Sequence, residues 1–162
     1  MDNVLDIAQY IFNRYKAISN ENIDEMKLHK LLYFSQRESF AITNEPLFSD
    51  VFEGWRYGPV CRTLRENYTV DGIINFNPQH ISDKAEYIVN NIIMQYGYIE
   101  SWKLSQLSHQ EISWKNSRRG LSENENGNTP LDNGDIQKDS EKIRPYDHIW
   151  GMYLDEFETE EA

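Results

Sequence analysis

Apolar residues recur three and four apart in segment after segment of this chain, and that spacing confines it to a largely helical fold. Val4, Ile7, Ala8, Ile11, Phe12 and Tyr15 form one stripe of an amphipathic helix. Ser19-Asn20-Glu21 interrupts it, and Asn22 with Glu25 three residues on reads as a capping box. That box opens a second helix over residues 23–40, carried by Leu28, Leu31, Leu32, Tyr33 and Phe34. Between residues 43 and 59 the helical spacing lapses. Asn44-Glu45-Pro46 is a turn signal, and the β-branched and aromatic residues after it predict a small two-stranded ribbon near residues 47–57.

Gly58-Pro59 punctuates the chain, with Pro59 suited to the first turn of a third helix running to Tyr68. A loop is expected over 71–80. Ser82 then caps a fourth helix with Ala85, Ile88, Val89, Ile92 and Tyr96 on one face, and Gly97 stops it. Trp102, Leu104 and Leu107 mark a short helix, and Ser108 with Glu111 repeats the capping-box pattern before a segment that ends at Gly120. Residues 121–142 shift to Asn, Glu, Asp, Gly and Ser, a polar acidic stretch expected to be locally flexible. Ile143, Tyr146, Ile149, Trp150, Tyr153, Leu154 and Phe157 predict a closing amphipathic helix over 143–162. The expectation is a mainly α, compact multi-helix single domain of residues 1–120 with that appendage.

Charge divides the chain at the same place. Residues 1–120 hold 13 Lys/Arg against 15 Asp/Glu, whereas residues 121–162 hold 3 against 12, which accounts for most of the formal net charge of −11. Such a balance disfavours non-specific binding to phosphate backbones. Seven Phe, four Trp and ten Tyr among 162 residues supply enough bulk to close a core. Apolar runs such as Leu31-Leu32-Tyr33-Phe34 fall far short of the roughly 20 residues of a membrane span. With Cys61 as the lone cysteine and no secretory pattern after Met1, a cytoplasmic location is expected.

Catalytic patterns are sparse. There is no Gly-rich phosphate cradle, no G-x-S-x-G elbow, and no metal spacing among His29, His80, His109 and His148. His109 beside Glu111 lacks a nucleophile, and Cys61 at a helix start reads as a small buried hydrophobe. No enzymatic activity, cofactor or metal is therefore expected. Lys115, Arg118 and Arg119, extended by Lys27 and Lys30, form the best candidate for contact with DNA.

Two strings stand out: Met26-Lys27-Leu28-His29-Lys30-Leu31-Leu32-Tyr33-Phe34-Ser35-Gln36 and Gly54-Trp55-Arg56-Tyr57-Gly58-Pro59-Val60. A third, Leu104-Ser105 through His109 to Trp114, follows them. Together they resemble the signature of the Panacea domain family of SocA/GepA-like, phage-associated proteins, in order and spacing across residues 1–120. Gly54 stands where that family often has Ala, an exchange expected to matter little. The resemblance implies an antitoxin of a bacterial or prophage two-gene system that neutralises a cognate toxin by direct binding. It also implies a possible role in delivering the toxin to an ATP-dependent protease. A DNA-binding regulator of a phage or mobile element is the alternative. The partner-binding candidates are Lys30, Tyr33, Trp55, Arg56, Tyr57, Gly58, Pro59 and Val60, with Trp150 and Tyr153 in the tail. Leu28, Leu31, Leu32 and Trp55 are expected to pack the second helix against the turn, and Lys30, Tyr33, Arg56 and Tyr57 to reach the surface.

Overall fold

The structure, a computed structural model, describes residues 1–76 and 80–156. Helix α1 spans Val4–Ser19; Asn3 Oδ1 caps it by accepting from the amides of Leu5 and Asp6, and Asn20 ends it in the left-handed region at φ 66°. Helix α2 spans Glu25–Thr43. Its cap is Asp24, whose side chain accepts from Lys27 N, and not Asn22 as the sequence pattern suggested. Asn22 instead donates to Val70 O, and Glu25 turns outward to Arg65 and His29. The misplacement has a simple cause: both Asn22 and Asp24 are good caps, and only the fold decides between them.

Helix α2 is the axis of the molecule. Every residue from Lys27 to Phe40 is buried, polar ones included. Helices α4 (Asp83–Tyr96), α5 (Ser101–Ser108) and α7 (Asn133–Ser140) pack around it with α1. A helix enclosed on all sides must satisfy its own polar groups. Gln36 does so by accepting from Leu47 N and donating to Phe48 O, which pins the chain entering the ribbon. Arg37 pairs with Glu111 and donates to the Tyr96 hydroxyl. Lys27 Nζ reaches Gly97 O at 2.9 Å.

Two groups depart from this: Arg37 Nε is buried without a partner, and a weak contact serves Glu38. Its nearest donor is the Gln95 amide at 3.4 Å, and burial pushes its carboxyl up to about 7. A carboxyl whose pKa is raised from 4.5 contributes most stability below pH 4.5 and loses it as pH rises through 7. Glu38→Gln is therefore expected to leave stability unchanged at pH 4.5 and to raise it by about 2 kcal/mol at pH 8, read from urea unfolding. A parallel shift at both pH values would contradict this.

The ribbon lies slightly later than the sequence predicts. Strands β1 (Phe52–Trp55) and β2 (Gly58–Cys61) pair antiparallel, Phe52 opposite Cys61 and Trp55 opposite Gly58. Pro59 thus sits in a strand, not in the first turn of a helix; helix α3 starts at Arg62 and ends at Asn67. At the start of the stretch expected as loop, β4 (Gly72–Ile73) pairs with β3 (Tyr68–Thr69) in a second small hairpin; residues 77–79 of that stretch lie outside the described residues. Ser82 caps α4 as expected. Helix α6 (Ile112–Ser117) begins after Glu111, and the Ser108–Glu111 box does not form: Ser108 Oγ donates back to Ser105 O.

The C-terminal quarter departs most from expectation. The stretch 121–142 contains α7, which buries Ile136 and Asp139 against α2 and α6, and Leu131 joins the core just before it. From residue 143 the helix gives way to a hairpin, β5 (Tyr146–Asp147) against β6 (Met152–Tyr153). The apolar spacing there imitates a helix. Asp147 Oδ1 accepts from the amides of Ile149 and Trp150 instead, and Gly151 turns the chain at φ 67°. Phe157, the last apolar residue of the predicted helix, lies outside the described residues.

Candidate interaction cleft

The three strings meet at one turn. Gly58 adopts φ 118°, a conformation L side chains rarely take, and a Cβ there would lie 2.5 Å from Ser108 Oγ and 2.8 Å from Lys30 Nζ. Glycine is thus required both by backbone and by space. Around it, side chains from three helices bind the hairpin's backbone. Ser105 of α5 donates to Tyr57 O at 2.6 Å, Trp114 of α6 to Trp55 O at 2.8 Å, and Lys30 of α2 to Pro59 O at 3.3 Å. His29 Nδ1 accepts from Cys61 N, so its proton rests on Nε2, which faces Glu25. Arg118 completes the cage by donating to Gly54 O and to the carbonyls of Ser122 and Glu125. The Leu-Ser, Trp and Lys positions of the strings are spatial neighbours because each holds one carbonyl of the Trp55–Pro59 turn.

This cage fixes Gly54 tightly as well. A Cβ at that position would lie 1.9 Å from Ser117 Oγ and 3.0 Å from Ser117 Cβ, so the exchange with Ala is not innocuous in this chain. Gly54→Ala is expected to lose about 1–3 kcal/mol of stability, and Ser117→Gly to restore most of that in the double variant, measured by chemical unfolding. Equal costs in the single and double variants would refute the clash.

Outside the cage, the start of α2, the hairpin, α3 and residues 126–128 enclose a cleft of ≈ 780 Å³. Trp55 forms its wall. Its indole N–H donates to Glu53, and the guanidinium groups of Arg62 and Arg65 lie 5.8 and 5.7 Å from its ring. Arg62 pairs with Glu53 at 2.9 Å and Arg65 with Glu25 at 2.7 Å. Those contacts hold both carboxyls below their ordinary range: Glu25 through His29 first and then Arg65, Glu53 through Arg62. His29 is buried and its pKa is lowered by desolvation, which keeps the ring neutral. Lys30 has no carboxylate bound to it among the described residues, and burial lowers its pKa to about 7. Arg56 lies over the Tyr57 ring at 5.0 Å, and its buried Nε has no hydrogen-bond partner.

The predicted partner residues separate into three groups. Trp55, Arg56, Tyr57 and Val60 line the cleft, with Tyr57 54% exposed at the hairpin tip, while Gly58 and Pro59 are buried in the turn behind them. Lys30 and Tyr33 do not reach the surface. Lys30 is 1% exposed at the cleft floor, and Tyr33 is fully enclosed, its hydroxyl bonded to Ser113 Oγ and Asp139. Spacing alone assigns both to an edge of α2, but α2 has no exposed edge there. Trp150 and Tyr153 lie on the C-terminal hairpin, away from the cleft lining; Trp150 is exposed, and Tyr153 stacks under Arg144.

Other candidates resolve in structural terms. Of the five basic residues, Lys27, Lys30 and Arg118 are buried on backbone carbonyls, which leaves Lys115 and Arg119 at the surface. Glu111 is committed to Arg37, and His109 stacks on Trp114 at 4.2 Å. Cys61 ends β2 and stands at the N-cap of α3, as the sequence suggested; burial raises its thiol to about 11. His80, Asp83 and Glu86 bring ligand atoms within 4.8 Å of one another at the start of α4, where acidic groups complement the helix's positive end. Sequence reasoning missed Arg62 and Arg65, whose three-residue spacing on the helix after the hairpin was the available signal. It also missed Met94, Tyr98 and Trp102, all well exposed along one short stretch.

Comparison with known families gives one finding: residues 28–115 match the family described as antitoxin SocA-like, Panacea domain. No curated protein and no solved structure matches the chain. The matched residues run from the first Leu of α2 into α6 and so contain His29, Lys30, Ser105 and Trp114 of the cage, while Arg118 lies three residues beyond them.

Proposed function

The chain belongs to the SocA-like antitoxin family of the Panacea domain, and from that premise we propose that it neutralises a partner toxin by binding it directly, with the Trp55–Val60 hairpin and its cleft as the contact. One observation carries the choice of surface. Three helices commit buried side chains to holding the turn, yet its tip presents Arg56 and Tyr57 outward beside an open cleft. A rigid turn bearing Trp, Tyr and Arg has the composition of a binding hot spot, because these side chains bury much area for little lost entropy. Delivery of the bound toxin to a protease would use a separate surface, for which the exposed Trp150 hairpin and the Met94–Trp102 stretch are the available ones.

The test is to express the adjacent gene alone and together with this chain, then to co-purify the pair. Relief of toxicity with recovery of a complex supports the reading. Tyr57→Ala is expected to weaken that complex about tenfold or more while leaving the thermal midpoint nearly unchanged. A harmless neighbour, or toxicity that persists with both proteins made, would overturn it. Truncation at residue 120 is a poor probe, since Leu131, Ile136 and Asp139 belong to the core.

A further inference from the structure

We propose that the cleft beside the hairpin takes a carboxylate-rich segment of the partner, with Arg56 as the group that receives a carboxylate; this rests on the reading of the cleft as the toxin contact.

The argument starts from charge. The chain as a whole carries −11, yet this cleft gathers Arg56, Arg62, Arg65 and the buried Lys30 against the two carboxylates of Glu25 and Glu53, which leaves Arg56 in excess whether or not Lys30 is protonated. The two carboxylates are used up: each is bound to an Arg of α3, and Glu53 also accepts from the Trp55 indole. What remains is Arg56 and Lys30. Among the described residues neither pairs with a carboxylate, Arg56 Nε is buried without an acceptor, and Lys30 Nζ has a single carbonyl at 3.3 Å for its three donors. Buried cationic donors left this incomplete are costly in an isolated protein. A carboxylate arriving in the cleft supplies the missing acceptors.

The cleft is open, has a volume of ≈ 780 Å³, and is lined by α2, the hairpin, α3 and Asn126, Gly127 and Asn128, which is room for a peptide segment. Arg62 and Arg65 lie over the Trp55 ring and Arg56 over Tyr57, so guanidinium groups accompany both aromatic walls. Electrostatic complementarity of this kind also selects partners, because the acidic excess of residues 121–162 disfavours an acidic segment on that part of the chain.

The test uses fluorescein-labelled octaglutamate as probe, titrated by anisotropy at 50 and 300 mM salt. The expected result is saturable binding that weakens at least tenfold at the higher salt. Arg56→Glu should abolish it and Arg56→Lys should retain part of it, whereas Lys138→Glu, an equal charge change on exposed α7, should leave it intact. Far-ultraviolet circular dichroism and the thermal midpoint establish that Arg56→Glu is folded; if it is not, Arg56→Gln takes its place. Absence of saturable binding, or binding that Arg56→Glu or Arg56→Gln leaves unchanged, overturns the proposal. So does displacement of the peptide by micromolar pyrophosphate, which would make the cleft a small-anion site. The titration needs no toxin, so its failure is distinct from failure of the antitoxin reading. In cells that show neutralisation, Arg56→Glu should lose it, and toxin variants that restore it should exchange Asp or Glu for Lys or Arg.

Discussion

Asp139→Ala is expected to lower the unfolding free energy by about 3–5 kcal/mol, among the largest costs of any single substitution in this chain. The carboxylate is 1% exposed and joins three elements. Oδ1 accepts from Ile112 N at 2.7 Å and Oδ2 from Ser113 N at 3.0 Å, so this residue of α7 caps α6, whose own cap residue Glu111 offers no side-chain bond. Oδ2 also lies 3.3 Å from the Tyr33 hydroxyl of α2. Alanine would orphan two amides and weaken the partnering of a buried phenol, each worth about 1–3 kcal/mol when left unsatisfied. One effect opposes this. Asp139 is among the groups that raise the Glu111 carboxyl to about 7, after burial itself, so its removal eases the Glu111–Arg37 pair. Asp139→Asn keeps one acceptor oxygen and should cost less, about 1–2 kcal/mol. Urea unfolding gives the totals, and hydrogen exchange at Ile112 and Ser113 gives the site. A cost below 1 kcal/mol, or amide protection unchanged in the alanine variant, would show that α6 is capped some other way.

Asp139 also shows where the sequence stops being informative. It lies in a run of Asn, Glu, Asp, Gly and Ser with little apolar surface, and by composition such a run looks unable to offset its ordering entropy. What orders α7 is not its composition but two apolar anchors, Leu131 and Ile136, and one carboxylate aimed at a helix start made of residues 112 and 113. That carboxylate is indistinguishable in sequence from Asp132 or Asp135. The helical framework was legible because amphipathic stripes in α1 and α4 face one core. Helix α2 was legible as a helix and not as an axis. Its polar residues suggest an exposed edge until α4, α5 and α7 are seen to surround it. The closing hairpin misled for the opposite reason: its apolar residues keep helical spacing while Asp147 and Gly151 dictate a turn. The cleft was half legible. The β-branched and aromatic residues located the ribbon to within a few residues, although Pro59 pairs in a strand and opens no helix; the carbonyl-binding roles of Ser105 and Trp114 depend on contacts 48 and 59 residues apart, and Arg65 reaches Glu25 across 40.

Lys30→Met is expected to stabilise the protein while impairing what the cleft does. Methionine fills nearly the same volume at a site 1% exposed and removes an ammonium that burial disfavours. The pKa of that group falls from 10.5 to about 7, so its contribution is fully present above pH 10.5 and is lost as pH falls through 7. The wild-type chain therefore carries the whole penalty below pH 7, on the order of 4–5 kcal/mol. Losing the bond to Pro59 O returns about 1–2 kcal/mol of it. The net expectation is a gain of about 3 kcal/mol at pH 6 that shrinks as pH rises and becomes a loss of about 1–2 kcal/mol by pH 10.5, read from urea unfolding at three pH values. Since Glu38 and Glu111 lose stability between pH 4.5 and 7 as Lys30 regains it above 7, the wild-type profile should pass through a minimum near neutrality. Lys30→Met should flatten its alkaline side only. A group that costs this much and serves the fold through one carbonyl is what a site kept for binding looks like, since stability is commonly surrendered where function needs an unsatisfied group. The variant should accordingly be the more stable protein and the weaker binder of octaglutamate. If it proves destabilised at pH 6, the lysine holds the hairpin through Pro59 more strongly than its burial costs, and its role is structural.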